Sequence, residues 1–241
     1  MNLIIDQGNT QFKVGLFNDN ELVSKMSFQY SEINQFNAWL KKNKCNMLNV
    51  IICSVVHRKI DLNDYKIDLL IEFNSSTPIP IKNKYKTPHT LGYDRLANVI
   101  GAWSLNQNQN SLTIDLGTCV KFDLINHKGE YLGGTISPGL KMRYQSLEYF
   151  TDQLPLIESK PLNMQYGNDT ETSIRCGVQL GIENEINGFI DRYNDEFSDL
   201  TIFMTGGDLN FFDKSFKKHI FANSNLTLVG LNEILMYNAK L

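Results

Sequence analysis

One short device occurs twice, about half the chain apart. The first copy is Leu3-Ile4-Ile5-Asp6-Gln7-Gly8-Asn9-Thr10-Gln11-Phe12-Lys13-Val14; the second is Leu112-Thr113-Ile114-Asp115-Leu116-Gly117-Thr118-Cys119-Val120-Lys121-Phe122. Each is an apolar strand, an Asp-x-Gly turn followed by threonine, and a second alternating strand that carries a lysine. Asn9 is extra in the first copy. A single Asp-x-Gly reads equally well as plain hairpin chemistry, because Asp and Gly favour tight turns. Two copies with matching flanks in 241 residues point to duplicated domains. The polar run Asn106-Gln107-Asn108-Gln109-Asn110 stands between them, so the halves are expected at 1–108 and 109–241.

The remaining pattern is coarser. Residues 21–28 read as a third strand, and Ser31 as the cap of a helix that turns Phe36, Trp39 and Leu40 to one side. The apolar run 49–56 predicts a strand buried on both faces. Residues 74–92 carry Pro78, Pro80 and Pro88 and should be extended or looped. Leu96, Val99, Ile100 and Trp103 have helical spacing. In the second half, 133–140 leads into a helix with Met142, Leu147 and Phe150. A long helix follows over 170–192, then a strand at 200–204 and a closing helix from about 230. Strands alternating with helices predict α/β layers.

Composition narrows the function. Hydrophobic residues make up 42% of the chain, enough to bury a core. The net charge of −3 argues against nucleic-acid binding, which needs surplus cations to displace counterions from phosphate. Cys45, Cys53, Cys119 and Cys176 form no CxxC pair. A zinc cage and a disulfide framework are therefore not expected, and a reducing cytoplasm is. The start, Met1-Asn2-Leu3-Ile4-Ile5-Asp6, has no basic segment to open a secretory signal. No apolar stretch reaches membrane-spanning length. His57, His89, His127 and His219 have no ligand spacing and read as structural or surface residues.

The two turns suit phosphate and a metal ion. Gly8 lacks a Cβ, so a ligand can approach the backbone, and turn amides with the Thr10 hydroxyl can donate to phosphate oxygens. Asp6 would repel bare phosphate, which implies an intervening cation, most simply Mg²⁺. Lys13 could neutralise phosphate charge or simply be solvated. Asp115-Leu116-Gly117-Thr118 offers the same groups. The paired glycines of Thr205-Gly206-Gly207-Asp208 either admit a flat adenine or ribose, or make an ordinary turn. Gly92-Tyr93-Asp94-Arg95 reads either as helix capping or as a general base, Asp94, beside a carboxylate anchor, Arg95.

These four segments, with Gly133-Gly134-Thr135-Ile136-Ser137-Pro138-Gly139, occur in an order and spacing that resembles type III pantothenate kinase, of the acetate kinase/hsp70/actin-like superfamily. The resemblance runs from residue 3 to about 210. It implies an α/β fold of two similar ribonuclease H-like (actin-like ATPase) domains with a nucleotide cleft between them. It implies phosphoryl transfer from ATP to the primary hydroxyl of pantothenate, the step that opens coenzyme A synthesis. By resemblance, Asp94 accepts the proton, and Tyr85, Gly92, Tyr93, Asp94, Arg95 and Thr170 contact pantothenate. Asp6, Gln7, Gly8, Asn9, Thr10, Gln11, Phe12, Lys13 and Thr118 meet ATP and its Mg²⁺. Asp115 binds a monovalent cation, K⁺ or NH₄⁺. A cytoplasmic homodimer is implied as well. Tyr93 replaces a usually small residue and is expected to narrow the acceptor pocket. The alternatives are another small-molecule kinase or phosphatase of the superfamily, or a non-catalytic regulatory relative.

Overall fold

The computed structural model describes residues 1–9, 11–43, 47–197, 199–212 and 220–241; Thr10, Cys45 and His219 lie outside them. The elements in chain order are β1 (Asn2–Gln7), β2 (Gln11–Asn18), β3 (Glu21–Gln29), α1 (Ile33–Lys42), β4 (Met47–Ser54), β5 (Lys66–Glu72), β6 (Lys82–Asn83) and α2 (Tyr93–Leu105). Then come β7 (Ser111–Leu116), β8 (Cys119–Ile125), β9 (Glu130–Pro138), α3 (Leu140–Tyr149), α4 (Thr170–Glu196), β10 (Thr201–Thr205), α5 (Leu209–Phe212), β11 (Ile220–Ala222) and α6 (Leu226–Asn238).

The chain forms two compact units, Met1–Leu105 with Asn225–Leu241, and Asn106–Ser224. In the first, the sheet runs β3-β2-β1-β4-β5. In the second sheet, which has six strands, five run in the order β9-β8-β7-β10-β11 and repeat that arrangement. In each, an antiparallel meander starts at the Asp-x-Gly strand, and a parallel strand lies on that strand's other side. The sequence echo is therefore an echo of topology.

The first unit's core is built on the inward faces of β1 and β2. Leu3, Ile5, Phe12, Val14 and Leu16 are fully buried with Phe36 and Leu40 of α1. Phe12, Phe28, Phe36 and Trp39 meet edge-on, tilted or, for Phe36 with Trp39, stacked, with neighbouring ring centroids 5.5–6.4 Å apart. Each such ring contributes about 1.5–3 kcal/mol by leaving water. Ser31 does not cap α1. A single 3-10 turn, Tyr30–Glu32, precedes the helix, and Gln29 makes a capping box with Glu32. The second core gathers Leu112, Ile114, Phe122, Ile182, Ile186 and Phe212. Residues 130–138, which read as an approach to a helix, complete the meander as β9.

The last helix begins at Leu226 and belongs to the first unit, whereas the sequence placed everything after 109 in the second half. Its apolar residues Leu226, Leu228, Leu231, Ile234 and Leu235 are buried. Polar pairs fix its place: Asn2 Nδ2 donates to Asn232 Oδ1 at 2.9 Å, and Thr227 Oγ1 donates to Asn98 Oδ1 at 2.7 Å. A helix with so many apolar residues announces burial, but its pattern does not say in which core.

Candidate active site

In the first unit, β1, β4 and β5 run parallel, and Asp6 and Cys53 lie near the carboxyl ends of β1 and β4, where open α/β sheets commonly bind ligands. Asp6 is the last residue but one of β1, with Lys13 opposite it in the antiparallel ladder and Cys53 opposite it in the parallel one. The turn is closed by the Gly8 amide donating to the Gln11 carbonyl at 3.0 Å. Burial first, then the charges of Asp6 and Asp94, push the Cys53 thiol well above its ordinary value. Both carboxylates thus bear on one buried sulfur at the end of β4, from different elements.

Asp94 stands in the first turn of α2, where the helix dipole favours an anion. Its Oδ1 accepts the Arg95 amide at 2.8 Å. Arg95 is 4% exposed, and its guanidinium carbon lies 5.7 Å from the centre of the Tyr85 ring. The looped region before α2 therefore brings Tyr85 to Arg95. The Tyr93 ring leans on Phe73 with centroids 5.2 Å apart, and its hydroxyl accepts the Ser75 amide at 3.2 Å.

Not every expected nucleotide residue presents its side chain. Phe12 is fully buried in the aromatic cluster, so only its main chain is available to a ligand. Gln7 is 3% exposed and donates Nε2 to the Arg58 carbonyl at 3.0 Å. It secures the 55–63 segment, along a cavity of about 990 Å³ that Ser54, Arg58, Tyr65 and Phe73 also line. Asn9 and Gln11 are exposed at the turn.

In the second unit, Asp115 and Lys121 face each other across the β7–β8 ladder and form an ion pair at 2.7 Å. Two further segments press onto this turn. The Gly139 amide donates to the Thr118 carbonyl at 3.0 Å, and a Cβ on Gly139 would stand 2.1 Å from the Gly117 carbonyl oxygen. The Asp208 amide donates to the Leu116 carbonyl at 2.8 Å. Gly206 makes that approach possible: its φ is +106°, and a Cβ there would lie 2.2 Å from the Leu116 oxygen. Thr170 opens α4 on the solvent side, next to Asp169, whose carboxylate accepts the Thr172 amide at 2.7 Å as the N-cap.

The sequence reading missed Asp208. Burial first, and the Asp115 charge second, raise its carboxyl above the ordinary range. Its signal was available: a second acid at the end of the strand that pairs with the Asp115 strand. Carboxylate oxygens are hard donors that suit a hard cation, and Lys121 already supplies one positive charge to Asp115. The donor set therefore fits K⁺, NH₄⁺ or hydrated Mg²⁺. Among the described residues, no group of three or more His, Cys, Asp or Glu side chains forms a metal cage. Among them, no helix is long and apolar enough to cross a membrane.

The structure is similar to that of a Campylobacter jejuni protein assigned to the Baf family of transcriptional activators (TM-score 0.63, 20% identity, 99% of this chain and 100% of that one). It is also similar to a Sinorhizobium meliloti protein assigned as a 2-dehydro-3-deoxygalactonokinase (TM-score 0.59, 11% identity, 100% of both chains). At these identities the likeness establishes the fold, the two-domain architecture of the actin-like ATPases. Sequence relatives are nearer. The chain is 43% identical over 240 residues to the type III pantothenate kinase of Christiangramia forsetii, covering 99% of both. It is 42% identical over 244 residues to that of Phocaeicola vulgatus, covering all of both. Residues 2–192 match the family model of type III pantothenate kinase. With its duplicated Asp-x-Gly turns and an acidic residue beside a buried arginine at the start of α2, the chain belongs to the type III pantothenate kinase family.

Proposed function

We propose that this protein transfers the γ-phosphoryl group of ATP to the primary hydroxyl of pantothenate, with Asp94 as the proton acceptor. The observation that supports the reading is that Asp6 lies opposite Cys53 in the parallel β1–β4 ladder, while Asp94, in the first turn of α2, acts by its charge on the same buried thiol. Phosphoryl transfer asks little else of a protein than positioning and charge neutralisation.

The roles rest on the family resemblance and suit the chemistry of the side chains. Turn amides around Gly8, with Lys13 behind them, hold phosphate oxygens, as do those around Gly117 and Thr118. Asp94, at the start of α2, takes the hydroxyl proton as the oxygen attacks phosphorus. Arg95 and Tyr85, with Gly92 and Tyr93, orient the acceptor, and Thr170 adds a hydroxyl. Asp115, with Asp208 beside it, would hold the monovalent cation. When bound, K⁺ or NH₄⁺ supplies fixed positive charge against the developing phosphate charge. Mg²⁺ enters with ATP, near Asp6. The reading includes a cytoplasmic homodimer, which rests on the family resemblance, and no nucleic-acid partner, which the net charge of −3 supports.

A coupled ATP-consumption assay with pantothenate, run with and without K⁺, tests the proposal. Pantothenate-dependent turnover that rises with K⁺ is expected. Folded protein that consumes no ATP with pantothenate in either buffer overturns the activity. Equal rates in K⁺ and Na⁺ overturn the cation's role.

A further inference from the structure

Tyr30 stands in the turn between β3 and α1, outside every motif that points to the reaction. Its hydroxyl donates to the Gly8 carbonyl oxygen at 2.6 Å. Its ring is gripped from two sides. Phe12 packs against it with centroids 5.5 Å apart, and the Arg58 guanidinium carbon lies 4.5 Å from its centre. Arg58 is in turn held through its carbonyl by Gln7, the residue before Gly8. A tilted ring against it, a cation over its face and a short hydrogen bond thus hold one side chain on one main-chain oxygen.

That oxygen matters because of peptide geometry. In a trans peptide the carbonyl and the following N–H point in opposite directions. Fixing the Gly8 carbonyl on the Tyr30 side fixes the Asn9 amide on the other. The Gly8 amide is already committed to the Gln11 carbonyl at 3.0 Å. The 8–9 peptide is therefore the one whose orientation Tyr30 decides. Released, it could rotate and bring a carbonyl dipole towards a phosphate where a donor is needed.

We propose that Tyr30 is a positioning residue for nucleotide phosphate, holding the Gly8–Asn9 peptide with its amide towards the ligand, and that Arg58 holds Tyr30. This rests on the reading of the Asp6 turn as a phosphate turn. The phenol suits the task, because burial keeps it protonated and able to donate well beyond neutral pH.

The test is Tyr30→Phe, which keeps the ring and removes only the hydroxyl. Loss of one ordinary hydrogen bond corresponds to about a three- to tenfold change in an affinity. The KM for ATP should rise by about that factor, and calorimetric ADP affinity should fall to match. The KM for pantothenate should stay within about twofold, and the melting temperature should hold. An unchanged KM for ATP, or a parallel worsening of both KM values with a lower melting temperature, overturns the proposal. If the wild type binds ADP but does not phosphorylate pantothenate, the activity has failed and the calorimetric comparison still decides Tyr30. Wild-type protein that binds neither ATP nor ADP removes the phosphate turn and the proposal with it.

Discussion

Lys121 holds its ammonium 2.7 Å from Oδ2 of Asp115, and in the first unit Lys13 occupies the matching rung opposite Asp6. The duplicated motif therefore carries an acid and a base to corresponding places in the two sheets. Surroundings then differentiate the copies. Asp115 has Asp208 as a second acidic neighbour, whereas Asp6 shares its region with Asp94.

Asp94→Asn removes the proton acceptor while keeping shape and a hydrogen-bonding oxygen for the Arg95 amide. The kcat should fall by about 10²- to 10⁴-fold, the range of general-base contributions. ATP affinity, read by calorimetry, should stay within about threefold. A variant with near-normal kcat would take Asp94 out of the base role.

Asp115→Asn takes away one of two carboxylates that favour a cation. The K⁺ concentration for half-maximal activity should rise about tenfold or more, because one missing charge-assisted contact is worth about 1.5–3 kcal/mol. Asp208→Asn should act in the same direction. Potassium titrations of the three proteins settle the matter; superimposable curves would exclude both residues as cation contacts.

Neighbouring glycines should behave differently. Gly206→Ala forces a Cβ onto the Leu116 backbone at positive φ and should cost about 1–3 kcal/mol in urea denaturation. Gly207 has nothing within 4 Å of such a Cβ, so Gly207→Ala should change stability by less than about 0.5 kcal/mol. If the second glycine leaves room for adenine or ribose, its alanine variant raises the KM for ATP at unchanged stability. Equal destabilisation by the two substitutions would contradict the packing described for this turn.

Burial raises the Glu233 carboxyl, with Lys240 opposing. The folded state therefore binds the proton more tightly than the unfolded chain. This penalty is absent below the ordinary value of 4.5, grows as pH rises through the raised folded value, and is full above it. Glu233→Gln should raise the melting temperature at pH 8 and lose that advantage at pH 4. A gap of the same size at both pH values would show that the carboxyl is not the cause.

Much of this protein was legible in the chain. The paired Asp-x-Gly turns foretold two sheets of one topology, because an apolar strand, a tight turn and an alternating strand can make only a hairpin, and two hairpins of the same sequence pattern make the same one. Helical spacing placed α1, α2 and α4, and motif order gave the family. Other features needed the folded chain. Gln7 and Phe12 belong to a nucleotide motif, yet their side chains serve a loop and a core, since alternation along a strand sends neighbours to opposite faces and only packing says which face is which. Asp208 reaches the Asp115 turn through a parallel pairing formed far along the chain, and Tyr30 reaches Gly8 across the β2–β3 hairpin. The helix at 226–238 returns to the first unit for the same reason: hydrophobic burial rewards any apolar surface that fits, and the partner is chosen by shape and by pairs such as Asn2 with Asn232, which exist only once the chain has folded.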